Sequence, residues 1–422
     1  MLSACAEEDS DAPSGWAVNI GGPAYTALDG TEFVAEQSVS GGELGKIKTV
    51  KGSQDAPLYH SYRKGDIRVA HPVDNGSYDI TLHFAEPNDI ARDERIFDVF
   101  AEGERVADDI DVMLWRDGQV RAALTVTVPD VVVDDGELNI GFEASVGEPL
   151  LSALSVRGKV RRAEDWQLAW SDEFDANGPP NENNWTIEEW AAGVVNDEDQ
   201  AYTSRARNVR VEDGHLVIEA DREDYQGALY TSARLQSAGK ADVLYGRIEV
   251  RARLPRGQGT WPAIWMLSSS PFTYATTCTD DENWQGSADC DAWPNSGEID
   301  IMEHVGYQMN HVHGTVHSKE FHWTIWNQHK GRILLDDVTG EFHVYALEWT
   351  PERIDIFVDD TVYLTYFNEG NGWEEWPFDQ PFHIILNVAI GGGWGRAGGP
   401  IDDSVLPQQM MVDYVRVYAQ PE

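Results

Sequence analysis

Over most of the chain, apolar and polar positions alternate with a period of two. Tyr78-Asp79-Ile80-Thr81-Leu82-His83-Phe84 alternates strictly, as do parts of Leu138-Asn139-Ile140-Gly141-Phe142 and of the run Tyr245 to Leu254. Successive side chains on a strand point to opposite faces, so each run predicts a strand with one face in a core and one outside. Patterns of period 3.6 are scarce, and Gly, Asn and Asp punctuate the runs as turn residues do. The fold class expected is therefore all-β, in sandwiches. At 422 residues, two or three domains with their own cores are expected. Lys159 to Glu164 carries three bases between two β-rich blocks and reads as a short linker. The division expected is a tether at 1–15, a first sandwich at 16–158, a linker at 159–165 and a second domain at 166–422.

Gly297-Glu298-Ile299-Asp300-Ile301-Met302-Glu303 sets three carboxylates in an apolar, β-branched run with no cation inside it. On a regular strand Glu298 and Asp300 share a face, and Glu303 points to the other. A bulge at Ile301 or Met302 would return Glu303 to their side, and bulges are common beside active sites. Two carboxyl groups on one face suit glycoside hydrolysis, one to attack and one to protonate the leaving oxygen. Asp300 would then hydrogen-bond one glutamate and raise the other's proton affinity by like-charge repulsion. The alternative is a half-buried strand showing its acids to solvent. Trp261-Pro262-Ala263-Ile264-Trp265 and Trp293-Pro294 lie upstream, Gly314-Thr315-Val316-His317 downstream. Indole faces stack on sugar rings and line such sites.

With Trp170-Ser171-Asp172-Glu173-Phe174, Asn196-Asp197-Glu198-Asp199-Gln200-Ala201-Tyr202, Tyr230-Thr231-Ser232-Ala233-Arg234-Leu235, Ile385-Leu386-Asn387-Val388-Ala389-Ile390 and Val412-Asp413-Tyr414-Val415-Arg416, the segment from about Trp166 to Tyr418 resembles glycoside hydrolase family 16, laminarinase-like branch. That resemblance implies a β-jelly roll, with Glu298 as nucleophile, Glu303 as acid/base and Asp300 as the assisting carboxylate. It implies a retaining endo-hydrolase of β-1,3-glucan. A mixed-linkage glucanase, a galactan-active relative and a non-catalytic glucan receptor are the alternatives. Trp261, Trp265, Trp293, Trp394, His317, Asn196, Glu198, Gln200, Arg234 and Asn387 are the substrate-binding candidates, with core packing as the competing role for the tryptophans. No cofactor is expected for catalysis. A structural calcium is implied at Glu173, Gly214 and Asp413, with a plain hydrogen-bonded corner as the other possibility.

The first block resembles a malectin domain through Val18-Asn19-Ile20-Gly21-Gly22, Leu58-Tyr59-His60-Ser61-Tyr62-Arg63, the Tyr78 strand, Arg95-Ile96-Phe97-Asp98-Val99 and Leu151-Ser152-Ala153-Leu154. The resemblance implies a carbohydrate-binding sandwich with Tyr59, Tyr62, Phe84 and Glu86 at its sugar site. Ala85 and Glu86 stand where the family often carries another aromatic.

Charge narrows the partners. The chain holds 73 acids against 31 bases, a formal net charge of −42 spread along its length, and such a surface repels a phosphate backbone. A neutral polysaccharide fits, nucleic acid does not, and the surface also suits high salt. No apolar run reaches the roughly 18 residues of a membrane span. Leu2-Ser3-Ala4-Cys5, followed by an acidic segment, is similar to a bacterial lipobox, with Cys5 as the lipidated residue and the only membrane link. An extracellular or cell-surface monomer is expected. Cys278 and Cys290 bracket a polar loop, where secretion favours a disulfide; two cysteines without a nearby His pair do not make a zinc site.

Overall fold

The computed structural model describes residues 15–159, 166–280, 284–287 and 289–419. Cys5 and residues 1–14 of the tether lie outside the described residues. The chain divides into two compact units, 1–164 and 165–422. Helix is confined to single turns of three or four residues among the described residues. Alternating apolar positions thus became strands nearly everywhere, as their period dictates.

In the first unit, Trp16–Asn19 and Gly76–Phe84 flank Ala153–Gly158 antiparallel, and Leu124–Val133 extends that sheet beyond Gly76–Phe84. A second sheet holds Ser61–Pro72, Glu137–Val146, Ile96–Ala101 and Glu104–Ile110. Tyr78, Ile80, Leu82 and Phe84 turn inward from the first sheet, and Phe97, Val99 and Ala101 from the second. The Phe84 and Phe97 rings meet edge to face at 5.6 Å and join the two layers into a sandwich.

The second unit also has two sheets. Arg234–Gln236, Phe382–Ile390, Thr260–Ser268, Glu298–Glu303, His311–His317 and His329–Leu334 run antiparallel in that spatial order. Opposite them lie Gln408–Ala419, Gly246–Arg253, His343–Trp349, Arg353–Val358 and Thr361–Phe367. Their facing residues, among them Ile264, Met266, Ile299, Val316, Leu386, Val250, Leu347, Ile356 and Val412, form one apolar core. Burying it fixes which parity of each strand faces in, and therefore which parity is left for chemistry.

Candidate active site

The carboxylate strand begins at a turn. Ala292–Asn295 makes a kinked turn with Trp293 in extended backbone (ψ 134°), closed by Ser296 N–H donating to the Ala292 carbonyl at 2.7 Å and Gly297 N–H to the Pro294 carbonyl at 3.1 Å. Gly297 has φ of 82°, which glycine adopts without strain, and a Cβ there would stand 2.8 Å from Pro377. This reversal brings Trp293 back onto the strand it precedes, where its Nε1 donates to Glu298 Oε2 at 2.9 Å.

The strand then bulges. Asp300 pairs with Trp265 and Met302 with Ile264, leaving Ile301 as the extra residue on that side. On the other side Asp300 faces Thr315 and Glu303 faces His313, so Ile301 and Met302 together oppose Gly314. Both side chains are fully buried in the core. Glu303 returns to the outer face, where Oε1 accepts from Trp261 Nε1 at 3.1 Å. The two glutamates are thus each held by an indole N–H from a different segment.

Desolvation dominates the electrostatics. Burial pushes the Glu298 carboxyl well above the ordinary glutamate range, with Asp300's charge adding to the shift and His317 opposing it. Asp300, 2 % exposed, is raised by burial and then by Glu303's charge. Two buried carboxyls this close resist ionising together, so they titrate as a pair. Among the described residues, the basic side chain within ion-pair distance of either is His317, with Nε2 3.3 Å from Asp300 Oδ2 and 3.7 Å from Glu298 Oε1. Burial lowers the His317 pKa against the pull of those acids, which favours the neutral imidazole. Glu298, Asp300 and His317 each bring a ligand atom within 4.8 Å of the others, a spacing a cation could also use.

A cleft of about 320 Å³ opens on the Glu298 side, lined by Asn196, Arg234, Trp265, Trp284, Gln285, Trp293 and Trp323 among others. Arg234 lies between two indoles, 4.2 Å from the Trp190 centroid and 4.8 Å from that of Trp265, paired to Glu188 at 2.5 Å and donating to Gln285 at 2.6 Å. Its stacked, ion-paired guanidinium is a rigid wall. Along the same strand as Trp265, Trp261 meets Trp394 edge on at 5.5 Å, and Lys330 Nζ sits 4.1 Å over the Trp394 ring.

Several sequence expectations need correction. Glu198 and Gln200, expected as a clamp on substrate, are buried and bonded to the protein. Glu198 accepts from Gln200 at 2.7 Å and Tyr202 at 3.1 Å, while Gln200 accepts from Ile390 N–H at 2.6 Å. Asn387 accepts from Trp265 Nε1 at 2.7 Å and donates to Tyr202 at 3.1 Å, so this network orients Trp265 from beneath. In the first unit, Phe84 is core, and Glu86 is fully buried with Arg95 Nε 2.6 Å away. Tyr59 is 2 % exposed and bonded to His83 at 3.0 Å; Tyr62 stays partly accessible. Phe84 lies on the inward parity of its strand, while Tyr59 is buried from a 3-10 turn and Glu86 from the segment that follows the strand. Glu173 pairs with Arg416 at 2.9 Å and Asp413 with Arg251 at 2.6 Å, while nothing lies within 4 Å of where a Gly214 Cβ would stand. Both carboxylates are paired to arginines here, the arrangement of a hydrogen-bonded corner.

Other residues escaped the sequence reading. Trp284 and Gln285 reach the cleft from the loop between Cys278 and Cys290, which are disulfide-bonded with Cα atoms 5.1 Å apart. An indole and an amide inside a cysteine-bracketed loop were the available signal. Trp323, 43 % exposed, continues the aromatic row 6.3 Å from Trp293.

Comparison with known proteins agrees with this geometry. The model of the malectin domain matches residues 14–154, and that of the glycosyl hydrolases family 16 matches residues 196–416. A β-glucanase of Rhodothermus marinus is 49% identical over 280 residues, covering 64% of this chain and 92% of the relative. The X-ray structure of the laminarinase from Rhodothermus marinus superposes with a TM-score of 0.56 at 49% identity, over 62% of this chain and 100% of that one. A keratan-sulfate endo-1,4-beta-galactosidase of Sphingobacterium multivorum is 32% identical over 285 residues, 66% of this chain and 60% of the relative. With three acids on one bulged strand of a jelly roll and a family match over more than half its length, the chain belongs to family 16 of the glycosyl hydrolases and carries a malectin domain ahead of the hydrolase domain.

Proposed function

We propose that this hydrolase cleaves β-1,3-glucan internally with retention of configuration. The supporting observation is the bulge at Ile301-Met302, which sets Glu303 on the face of Glu298 and gives each glutamate its own indole donor. Glu298 attacks the anomeric carbon while Glu303 protonates the departing oxygen; Glu303 then takes a proton from the water that releases the sugar. Asp300, buried beside Glu298, raises the proton affinity of that carboxyl by like-charge repulsion. For attack Glu298 gives its proton to solvent, and repulsion from Asp300 then favours transfer of the carboxylate's charge to the anomeric carbon. Arg234, Trp265, Trp284 and Trp293 make a rigid aromatic wall that fits the apolar faces of glucose rings. The half-identical β-glucanase and the laminarinase fold neighbour support glucan as substrate. The galactosidase relative favours a second reading, activity on galactans.

The decisive assay measures reducing ends released from laminarin, lichenan, agarose and carrageenan, with Glu298→Gln as control. Release from laminarin with the β-anomer formed first supports the proposal; release only from a galactan replaces glucan as substrate, and α-anomer first removes retention. The proposal extends to the cell surface, with Cys5 lipidated and the malectin domain holding the enzyme on polysaccharide. Absence of palmitate label from the protein expressed with a lipoprotein leader would remove the anchor.

A further inference from the structure

We propose that Tyr363 is a positioning residue for the proton donor: its hydroxyl holds the bulge that keeps Glu303 on the cleft face. The inference rests on the reading of Glu303 as acid/base. Ile301 has no register partner on either neighbouring strand, because Asp300 and Met302 pair with Trp265 and Ile264 on one side and Asp300 and Glu303 with Thr315 and His313 on the other. Its carbonyl is therefore released from the ladder inside a fully buried residue, where an unmet acceptor is destabilising. Tyr363 meets it. From Thr361–Phe367, a strand of the opposite sheet, the phenol crosses the core and donates to the Ile301 carbonyl at 2.6 Å.

The neighbouring strands are built to let the ring through. Gly314 and Gly331 are cross-strand partners, and neither has a positive φ that would itself call for glycine. A Cβ on Gly314 would stand 3.0 Å from the Tyr363 ring, and one on Gly331 would run into the Tyr363 backbone carbonyl. Space, not backbone conformation, accounts for both glycines. Without the phenol's bond, the cheapest repair of the ladder is to expel the extra residue, and a shift of one position turns Glu303 into the core. Tyr363 touches no substrate; it acts through Glu303.

The test is Tyr363→Phe in the full chain, which removes one oxygen from a packed core. The measurements are kcat/KM on laminarin and on a 2,4-dinitrophenyl β-laminaribioside, whose phenolate leaves without a proton, together with Tm. On laminarin kcat/KM is expected to fall about tenfold or more, and on the dinitrophenyl substrate to stay within about twofold of wild type. Gly314→Ala, which keeps the hydroxyl but displaces the ring, should show the same split, and it serves if the phenylalanine variant does not fold. Equal losses on both substrates, or a lower Tm with both rates unchanged, would overturn the role. Glu303→Gln run alongside separates the two ideas: if it keeps full activity on laminarin, the acid/base assignment itself fails, whereas its loss beside an unaffected Tyr363→Phe removes only Tyr363.

Discussion

Glu86 in the first unit and Glu298 in the second are both withdrawn from water, but their surroundings treat them differently. Glu86 is fully buried against the guanidinium of Arg95 and also accepts from the Asn88 N–H at 3.1 Å. Every charge there is answered, so the acid is part of the scaffold. Glu298 has a neighbouring acid, a histidine that burial keeps neutral and one indole N–H, and its carboxyl is pushed well above the ordinary range. Such a mismatch costs stability and is a feature that functional sites share, which supports the role proposed for Glu298. Burial alone therefore does not mark a catalytic carboxylate; burial with a like charge beside it does.

The contrast breaks most sharply at Glu298, the proposed nucleophile. Glu298→Gln is expected to lower turnover of laminarin at least about 1,000-fold while Tm holds or rises, since an uncompensated buried acid is removed. Reducing-end assays and calorimetry read both, and a fall in Tm that matches the loss of activity would return Glu298 to the scaffold class. Next in size is Trp293→Phe, which deletes the indole N–H on Glu298 and keeps an aromatic face. A hydrogen bond to a charged group contributes roughly 1.5–3 kcal/mol, so kcat/KM should drop by roughly 10- to 100-fold.

Asp300→Asn sharpens the electrostatic part. Asp300's charge raises the Glu298 pKa, so its removal lets Glu298 ionise at lower pH, and the acid limb of kcat/KM should move down. Stability must respond with the matching sign. A carboxyl raised in the folded state adds stability below its ordinary pKa, and that stability is lost as pH rises through the raised value. The wild type should therefore lose stability over that window, and Asp300→Asn should lose less, as urea unfolding across pH would show.

The smallest effect on turnover belongs to Glu86→Gln. Leaving Arg95 buried and unpaired should cost about 3–5 kcal/mol of stability, with activity on soluble laminarin unchanged. A catalytic defect without a stability change would erase the distinction between the two acids.

Much of this was legible before any coordinates. Alternation gave strands and sandwich cores because parity on a strand is a local property. The carboxylate spacing demanded a bulge at Ile301-Met302, and the register contains one. Trp261, Trp265, Trp293 and Arg234 do gather around the acids. Where the reading failed, it failed over partners. Phe84 lies on the inward parity of its strand and Glu86 is buried just after it, but a buried glutamate is only recognisable as scaffold once Arg95 is seen beside it. Glu198 and Gln200 were placed at the cleft by family resemblance, which does not say that the protein itself satisfies them; Asn387, polar in an apolar strand, needed a partner and finds it in Trp265 and Tyr202. Glu173 and Asp413 were eligible for a cation and received Arg416 and Arg251.

By itself, then, the amino-acid sequence determined the all-β architecture, the identity of the three acids and the need for one extra residue between them, because periodicity and side-chain chemistry are set along the chain. Only the tertiary structure decided which indole holds which glutamate, which polar groups satisfy one another, and that a phenol from the opposite sheet meets the released carbonyl of Ile301. Those outcomes depend on contacts between segments far apart in the chain, made where water is excluded, and no local pattern encodes the partner a buried group will find.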